Sequence, residues 1–289
     1  MKYQLYKDVM THDRRREAFN RLSVETFKLS FEDWYQSGYW TERNMPYVLF
    51  DGDRAVAGIS VNRMDILWEG EVHPMIQLGT VMTDRAYRNQ GLSRVLMERI
   101  MAEWKDECEA FFLFANRSVL DFYPKFGFRR YSQYRYRMLF VSSAADAVKL
   151  DPDSEKDREI IKNCYECGNP FSRIQDVNDF GLLMFYCMAP MKDMVYYSPS
   201  CHAVIIAEQK GKEFHCYDIF CGREHNLNCV LAAAAPAQTE CVVFHFTPEG
   251  RGDYIVSETG EGADTLFVYS DCIKIFADHK LLFPELSHT

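Results

Sequence analysis

The chain has 289 residues, longer than a usual single domain, and its 47% hydrophobic content is enough for two cores. It holds no run of 18 or more apolar residues, and Met1-Lys2-Tyr3-Gln4-Leu5-Tyr6-Lys7 has no secretory core, so the reading is a soluble cytoplasmic protein with no membrane partner. The net charge of −9 is unevenly spread: residues 1–140 carry 21 Lys/Arg against 19 Asp/Glu, which suits an anionic cofactor, whereas residues 141–289 carry 12 against 23, which disfavours nucleic acid.

Residues 11–28 read as a first helix, with Arg14, Arg15 and Arg16 on its wet face. A segment dense in aromatics follows, from Phe31 to Trp40. Tyr47 to Phe50 and Ala55 to Asn62 flank Asp51-Gly52-Asp53 as a hairpin, and Arg63 to Leu67 make a further strand. A turn near Glu69-Gly70 leads into an apolar strand, Met75 to Met82. Beyond it, Leu92, Val95, Leu96, Ile100 and Trp104 recur at helical spacing and bury one face of a helix over 92–104. Strand and helix are joined by a tight turn with one glycine. The first N–H groups of such a helix have no intrahelical partner and its dipole adds positive potential, so a phosphate is the natural guest. Gly91 lets the backbone approach that anion without a side chain in the way.

Phe111 to Ala115 is a continuous apolar run, a buried central strand. A short helix follows Asn116, and Gly127 stands where its C-terminus needs a left-handed residue. Arg129 to Met138 alternates as a half-buried closing strand should. Ser-Ser-Ala-Ala and Asp-Pro-Asp-Ser mark residues 141–156 as a linker, with a new helix starting near Ser154. The division is therefore 1–140, 141–156 and 157–289. The last part repeats the order of elements: a helix, a hairpin (Ala203 to Gln209 and Glu213 to Phe220), a helix at His225 to Ala234, a strand at Glu240 to Phe246 and a late strand near Thr265 to Tyr269. Nine of the ten cysteines lie there. Cys164-x-x-Cys167 is a lone pair without a second pair at zinc-finger spacing, so reduced thiols and no metal are expected.

The order Arg88-x-x-Gly91-x-Ser93 resembles the acyl-CoA pyrophosphate loop of the GNAT superfamily of N-acetyltransferases; it lacks the ending of a P-loop and the three glycines of a dinucleotide fingerprint. Asn116, Tyr123, Phe126, Gly127 and Phe128 match the superfamily's next motif at the expected distance. The resemblance implies an α/β fold with a mixed sheet, followed by a second, degenerate GNAT-like domain whose loop Cys221-Gly222-Arg223-Glu224 does not match a CoA site. It implies that Val81, Met82 and Thr83 carry the thioester and pantetheine arm. The pyrophosphate would lie on the amides of Asn89, Gln90, Gly91, Leu92 and Ser93, with Arg88 nearby. Ser93 departs from the family's Gly or Ala. Asn116 would orient CoA or the tyrosine, or else simply cap the short helix.

Tyr123 would be the general acid: a phenol, with a pKa of about 10 against about 8.5 for a thiol, stays protonated and can meet the departing thiolate. Packing of its ring on the sheet is the alternative. In this superfamily the region between the first helix and hairpin covers the acceptor, which points to Trp34, Tyr35, Tyr39 and Trp40 as the amine pocket, or to ordinary packing. No carboxylate stands on Met75 to Thr80, leaving Glu71, His73 or Asp65 as bases through water. Tandem proteins of the enhanced-intracellular-survival type suggest instead the α-carboxylate of Thr289. The aromatic-proline tail from Phe283 looks able to dock, and His288 is a competing base. The expected function is acetyl-CoA-dependent transfer of an acetyl group to a primary amine, on a small molecule or peptide, by direct attack. A non-catalytic acyl-CoA sensor is the alternative, and a homo-oligomer is left open.

Overall fold

Two mixed sheets lie side by side and exchange strands. The computed structural model describes residues 2–142, 146–250, 252–260, 264–270 and 275–289. The strands of the first half are β1 (Gln4–Tyr6), β2 (Asn44–Asp51), β3 (Arg54–Trp68), β4 (Glu71–Thr83), β5 (Ala110–Ala115), β6 (Arg129–Tyr131) and β7 (Tyr134–Leu139). Those of the second are β8 (Val148–Lys149), β9 (Ile174–Val177), β10 (Val195–Ser198), β11 (Ala203–Lys210), β12 (Glu213–Phe220), β13 (Cys241–Phe244), β14 (Ile255–Glu258) and β15 (Thr265–Tyr269). The helices are α1 (Asp13–Phe27), α2 (Glu32–Gln36), α3 (Leu92–Trp104), α4 (Glu155–Tyr165), α5 (Phe180–Met188), α6 (Leu227–Ala234) and α7 (Ile275–Asp278).

The first sheet runs β1-β2-β3-β4-β5-β15-β6, with β9 also paired to β3; the second runs β14-β7-β13-β12-β11-β10-β8. The stretch read as one closing strand, Arg129 to Met138, is therefore two. β6 stays in the first sheet, whereas β7 crosses to the second and pairs with β13 and β14. In return β15 enters the first sheet between β5 and β6. The break falls at Ser132-Gln133, where Gln133 is buried, its side-chain carbonyl accepting from the Phe283 N–H at 3.1 Å. Conversely, the two strands expected at Ala55–Asn62 and Arg63–Leu67 are one 15-residue strand, β3.

Helices cover both faces of the first sheet. Leu92, Leu96, Met97 and Ile100 of α3 pack on Tyr47, Ile59, Val61, Ile76 and Leu113. Phe19 and Leu22 of α1 pack on Val48, Phe50 and Met82 on the other side. This is the amphipathic pattern that placed α3 at Leu92–Trp104. Arg16 departs from the wet face expected of it: it is buried, bonding Glu32 (3.0 Å), Asp13 (2.9 Å) and the Met10 carbonyl (3.0 Å), with its guanidinium on the Tyr35 ring. In the second half the helix start read at Ser154 is a side-chain cap on Asp157 N–H, 3.4 Å away. Among the described residues no helix is long and apolar enough to cross a membrane.

Candidate active site

β4 and β5 run parallel only over Met75–Gln77 and Ala110–Phe112; beyond that β4 goes on to Thr83 paired with β3 but not with β5. Parting strands leave backbone donors and acceptors open to an added strand. At the parting β4 bulges: the register with β3 slips between Gly58 and Ser60, and Thr80 takes the left-handed φ of 42°. The Ser60 and Thr80 hydroxyls meet across the bulge at 2.6 Å.

β4 delivers the chain to the loop before α3. Asp84 caps a single 3-10 turn by accepting from Ala86 N–H at 2.9 Å, and Arg54 bonds the same carboxylate. Asn89 (φ 62°) and Gly91 (φ 76°) both turn left-handed, and Gly91 becomes the N-cap of α3. A Cβ on Gly91 would meet nothing within 4 Å, so the space in front of the loop is open. Val95 N–H, bonded to the Gly91 carbonyl at 3.0 Å, opens the helix ladder, so the amides of 91–94 precede it. Ser93, the departure from the family pattern, has a role here: its hydroxyl meets that of Thr83 at 2.7 Å, tying the strand end to the helix start. Arg88 bonds the Thr83 carbonyl at 3.3 Å. A cavity of about 480 Å³ adjoins this loop, lined by the cations Lys28, Arg54, Arg85 and Arg88 and by the carboxylates Glu25 and Asp84. The loop thus combines open amides, a helix N-terminus and cationic side chains, which fits a diphosphate. Val81 and Met82 lie on β4 just before it, with the Met82 side chain turned into the α1 core.

Asn116 caps the 3-10 turn Arg117–Val119, accepting from Ser118 N–H at 3.0 Å, which is the capping alternative raised for it. Tyr123 opens the next turn, closed by Gly127 at φ 89°. Its ring is 4% exposed and packs on Phe122, Phe128 and Phe267, the last on the exchanged strand β15. Burial pushes the phenol up to about 12, so it is protonated at neutral pH.

The tail returns across both sheets. Phe283 is buried against Phe112, Phe114 and Phe276. Glu285 follows at the second sheet's own parting. There β12 and β13 separate after Cys216 and Phe244, and His245 at the fork accepts from Glu285 N–H at 3.0 Å while its imidazole meets the Glu285 carboxylate. Burial alone would raise that carboxyl, but His245 and Arg135 outweigh it and hold it at about 2. His288 then stacks on Phe114 with ring centroids 3.5 Å apart, and burial pushes its imidazole down to about 4. Tyr186 donates to its carbonyl.

Thr289 ends against Asn62 of β3 and against Gln77 and Gly79 of β4, at the point where β4 parts from β5. A Cβ on Gly79 would lie 2.7 Å from the Thr289 carbonyl oxygen and 2.9 Å from its carboxyl carbon, so only glycine leaves room for this residue. The Thr289 hydroxyl donates to Gln77 Oε1 at 2.5 Å and accepts from Asn62 Nδ2 at 2.6 Å. Asn62 was not singled out in the sequence; its signal is one amide in the apolar run of β3.

The other sequence candidates lie elsewhere. Trp34 and Trp40 are core residues rather than pocket walls: they stack on each other 5.6 Å apart, and their indole N–H groups are taken by the Gly181 and Asn44 carbonyls at 2.8 and 3.1 Å. The Tyr35 ring has Arg16 over it and Tyr39 packs edge-on against Phe180, and both remain partly exposed. Asp65, Glu71 and His73 sit toward the hairpin end of β3 and β4, where Asp65 pairs with Pro74 in register and bonds Arg43 at 3.1 Å, while His73 meets Glu109 at 2.9 Å. Gly79 pairs with Ser60 in the same register, so five strand residues, or about 17 Å, separate Asp65 from the fork. Cys164 is buried and bonds the His202 carbonyl, and no group of three or more His, Cys, Asp or Glu is placed to hold a metal among the described residues.

The profile of the GNAT acetyltransferase domain matches residues 8–131. No curated protein matches the chain. Among solved structures, a probable N-acyltransferase from Enterococcus faecalis superposes with TM-score 0.61 at 13% identity, over 93% of this chain and 72% of that one. Eis1 from Mycobacterium abscessus superposes at 0.59 and 13%, over 92% and 72%. A putative acetyltransferase from Pyrococcus horikoshii superposes at 0.52 and 11%, over 98% and 95%. The forked β4 and the loop thus lie in a GNAT acetyltransferase domain over residues 8–131, and the chain as a whole shares its two-sheet α/β fold with Eis1 and the probable N-acyltransferase.

Proposed function

We propose that the chain is an acetyl-CoA-dependent N-acetyltransferase that acts on a primary amine by direct attack. One observation carries the reading: β4 leaves β5 and runs straight into a left-handed, open Gly91 loop at the start of α3. The forked strand offers backbone bonds to a pantetheine arm, and the loop offers amides, a helix dipole and Arg88 to a diphosphate. Gly91, Asn89 and Gln90 hold the phosphates, Val81 to Thr83 the arm, and Asn116 shapes the turn leading to Tyr123.

In the proposed chemistry the amine loses a proton to the α-carboxylate of Thr289, attacks the thioester carbonyl and forms a C–N bond. The carbonyl reforms as the C–S bond breaks, and the sulfur leaves with its electron pair and takes the proton of Tyr123. Two features support these roles. Tyr123 is buried and protonated, and the Thr289 carboxyl lies against Gly79, just past the last β4–β5 pair. His288 is the competing base: it is buried, stacked on Phe114 and neutral down to about pH 4. The acceptor is a small-molecule or peptide amine.

The test is thiol release from acetyl-CoA with a panel of amines: polyamines, aminoglycosides, amino acids and lysine peptides. Turnover with at least one class is expected. Binding of acetyl-CoA without turnover of any amine would overturn the enzymatic reading in favour of a sensor.

A further inference from the structure

The Thr289 hydroxyl is held in a way that its carboxylate role does not require. A threonine hydroxyl has one proton to give and lone pairs to receive. Here it gives to Gln77 Oε1 at 2.5 Å and receives from Asn62 Nδ2 at 2.6 Å. Both partners are almost fully buried, at 1% and 2% exposure, on adjacent strands where Asn62 and Gln77 are register partners. They are also pre-set. Asn62 Nδ2 bonds the Gln77 carbonyl at 3.2 Å, and Asn62 Oδ1 accepts from Asn44, which in turn accepts from the Trp40 indole at 3.1 Å. The two amides thus form a receptacle facing the fork, and Gly79 beside it leaves space for the carboxyl group.

We propose that Asn62 and Gln77 are positioning residues that select a hydroxyl-bearing residue at position 289 and, through it, fix the carboxylate beside the thioester. This rests on the reading of Thr289 as the base. Fixing the β-branched side chain fixes its Cα, so the carboxylate retains only rotation about one bond. An apolar side chain at 289 would leave the buried Gln77 Oε1 without its donor and take the shortest acceptor from Asn62 Nδ2, which is why the receptacle discriminates by chemistry rather than by size.

The experiment compares Thr289→Val, Thr289→Ser and Gln77→Met in the full chain. Measured are kcat and KM with the best amine of the panel, melting temperature, and the rate at which a carboxypeptidase releases Thr289 from wild type and Gln77→Met, which needs no acceptor. Thr289→Val keeps the shape and the carboxylate; its kcat is expected to fall about 10- to 100-fold with KM for acetyl-CoA within twofold. Thr289→Ser should recover kcat to within about fivefold of wild type. Gln77→Met should lower kcat and speed release of Thr289 about tenfold, and the Thr289→Val/Gln77→Met double variant should be no worse than the poorer single one. Equal kcat for the valine and serine variants, or an unchanged release rate in Gln77→Met, would overturn the proposal. Extending the chain by one glycine separates this from failure of the base reading. If extension abolishes turnover while Thr289→Val retains it, the receptacle fails and the base stands. If the extended chain turns over normally, the base reading fails and the receptacle falls with it.

Discussion

Replacing Gly79 with alanine probes the fork with one methyl group. No positive φ is required at this position, so the cost comes from contact alone. The new Cβ would stand 2.7 Å from both the carbonyl oxygen and the hydroxyl of Thr289, whereas unstrained contacts begin near 3.5 Å. The terminal residue must therefore retreat by about 0.8 Å. Bonds now at 2.5 and 2.6 Å to Gln77 and Asn62 would lengthen past 3.2 Å, and losing two of them costs about 1–3 kcal/mol of stability. A reacting group displaced by about 1 Å loses on the order of 100-fold in rate. Gly79→Ala should thus lower kcat about 10- to 100-fold in a thiol-release assay. Its affinity for acetyl-CoA by calorimetry should hold, because the Gly91 loop is untouched. Wild-type kcat in a folded Gly79→Ala variant would refute both the placement of Thr289 and its proposed role.

Tyr123→Phe should lose about 10²- to 10⁴-fold in kcat with acetyl-CoA binding intact, since it removes a proton donor while keeping the ring in its aromatic nest; an unchanged kcat would assign Tyr123 to packing alone. His288 is neutral in the folded chain down to about pH 4 but gains its proton near 6.5 when unfolded. The unfolded state therefore binds more protons between those values, and stability should fall by up to about 3 kcal/mol as pH drops from 6.5 to 4. His245 is held down to about 4 as well, so His288→Gln should reduce the slope of that part of a melting-temperature profile without abolishing it, and an equally steep profile in the variant would remove His288 from the account. Residues 1–140 expressed alone should fail to give a cooperative melt. They leave β5 and β6 without the strand between them and β7 without its sheet, and adding residues 141–289 in trans should restore the transition. A stable, cooperative 1–140 fragment would show the exchange to be dispensable.

Local features of the site were readable from the sequence because local rules set them. The loop from Arg85 to Ser93 joins an apolar strand to an amphipathic helix, and its glycine has the left-handed φ that the junction needs. Gly127 closing the Tyr123 turn is read the same way. The strand exchange was not readable. Alternation in Tyr134–Leu139 or Thr265–Tyr269 tells which face is buried but not which sheet supplies the neighbours, and both strands satisfy either partner. The burial of Trp34 and Trp40 was hidden for a related reason. The covering partner of their segment is Phe185 of α5, about 150 residues away, and no pattern in the segment says whether a protein ring or a ligand fills that role. The tail was marked by Phe283 and Pro284, but its destination depends on Asn62, Gln77 and His245, three residues scattered over both sheets.

The central claim concerns the amides around Gly91 as a seat for a coenzyme's diphosphate. Titration calorimetry of the purified chain with acetyl-CoA addresses it without any knowledge of the acceptor. One saturable site per chain is expected, weakened at least about tenfold in Gly91→Val, whose side chain would both strain a backbone at φ 76° and enter the open space before the loop. Absence of binding heat, or equal affinity in that variant, would contradict the account.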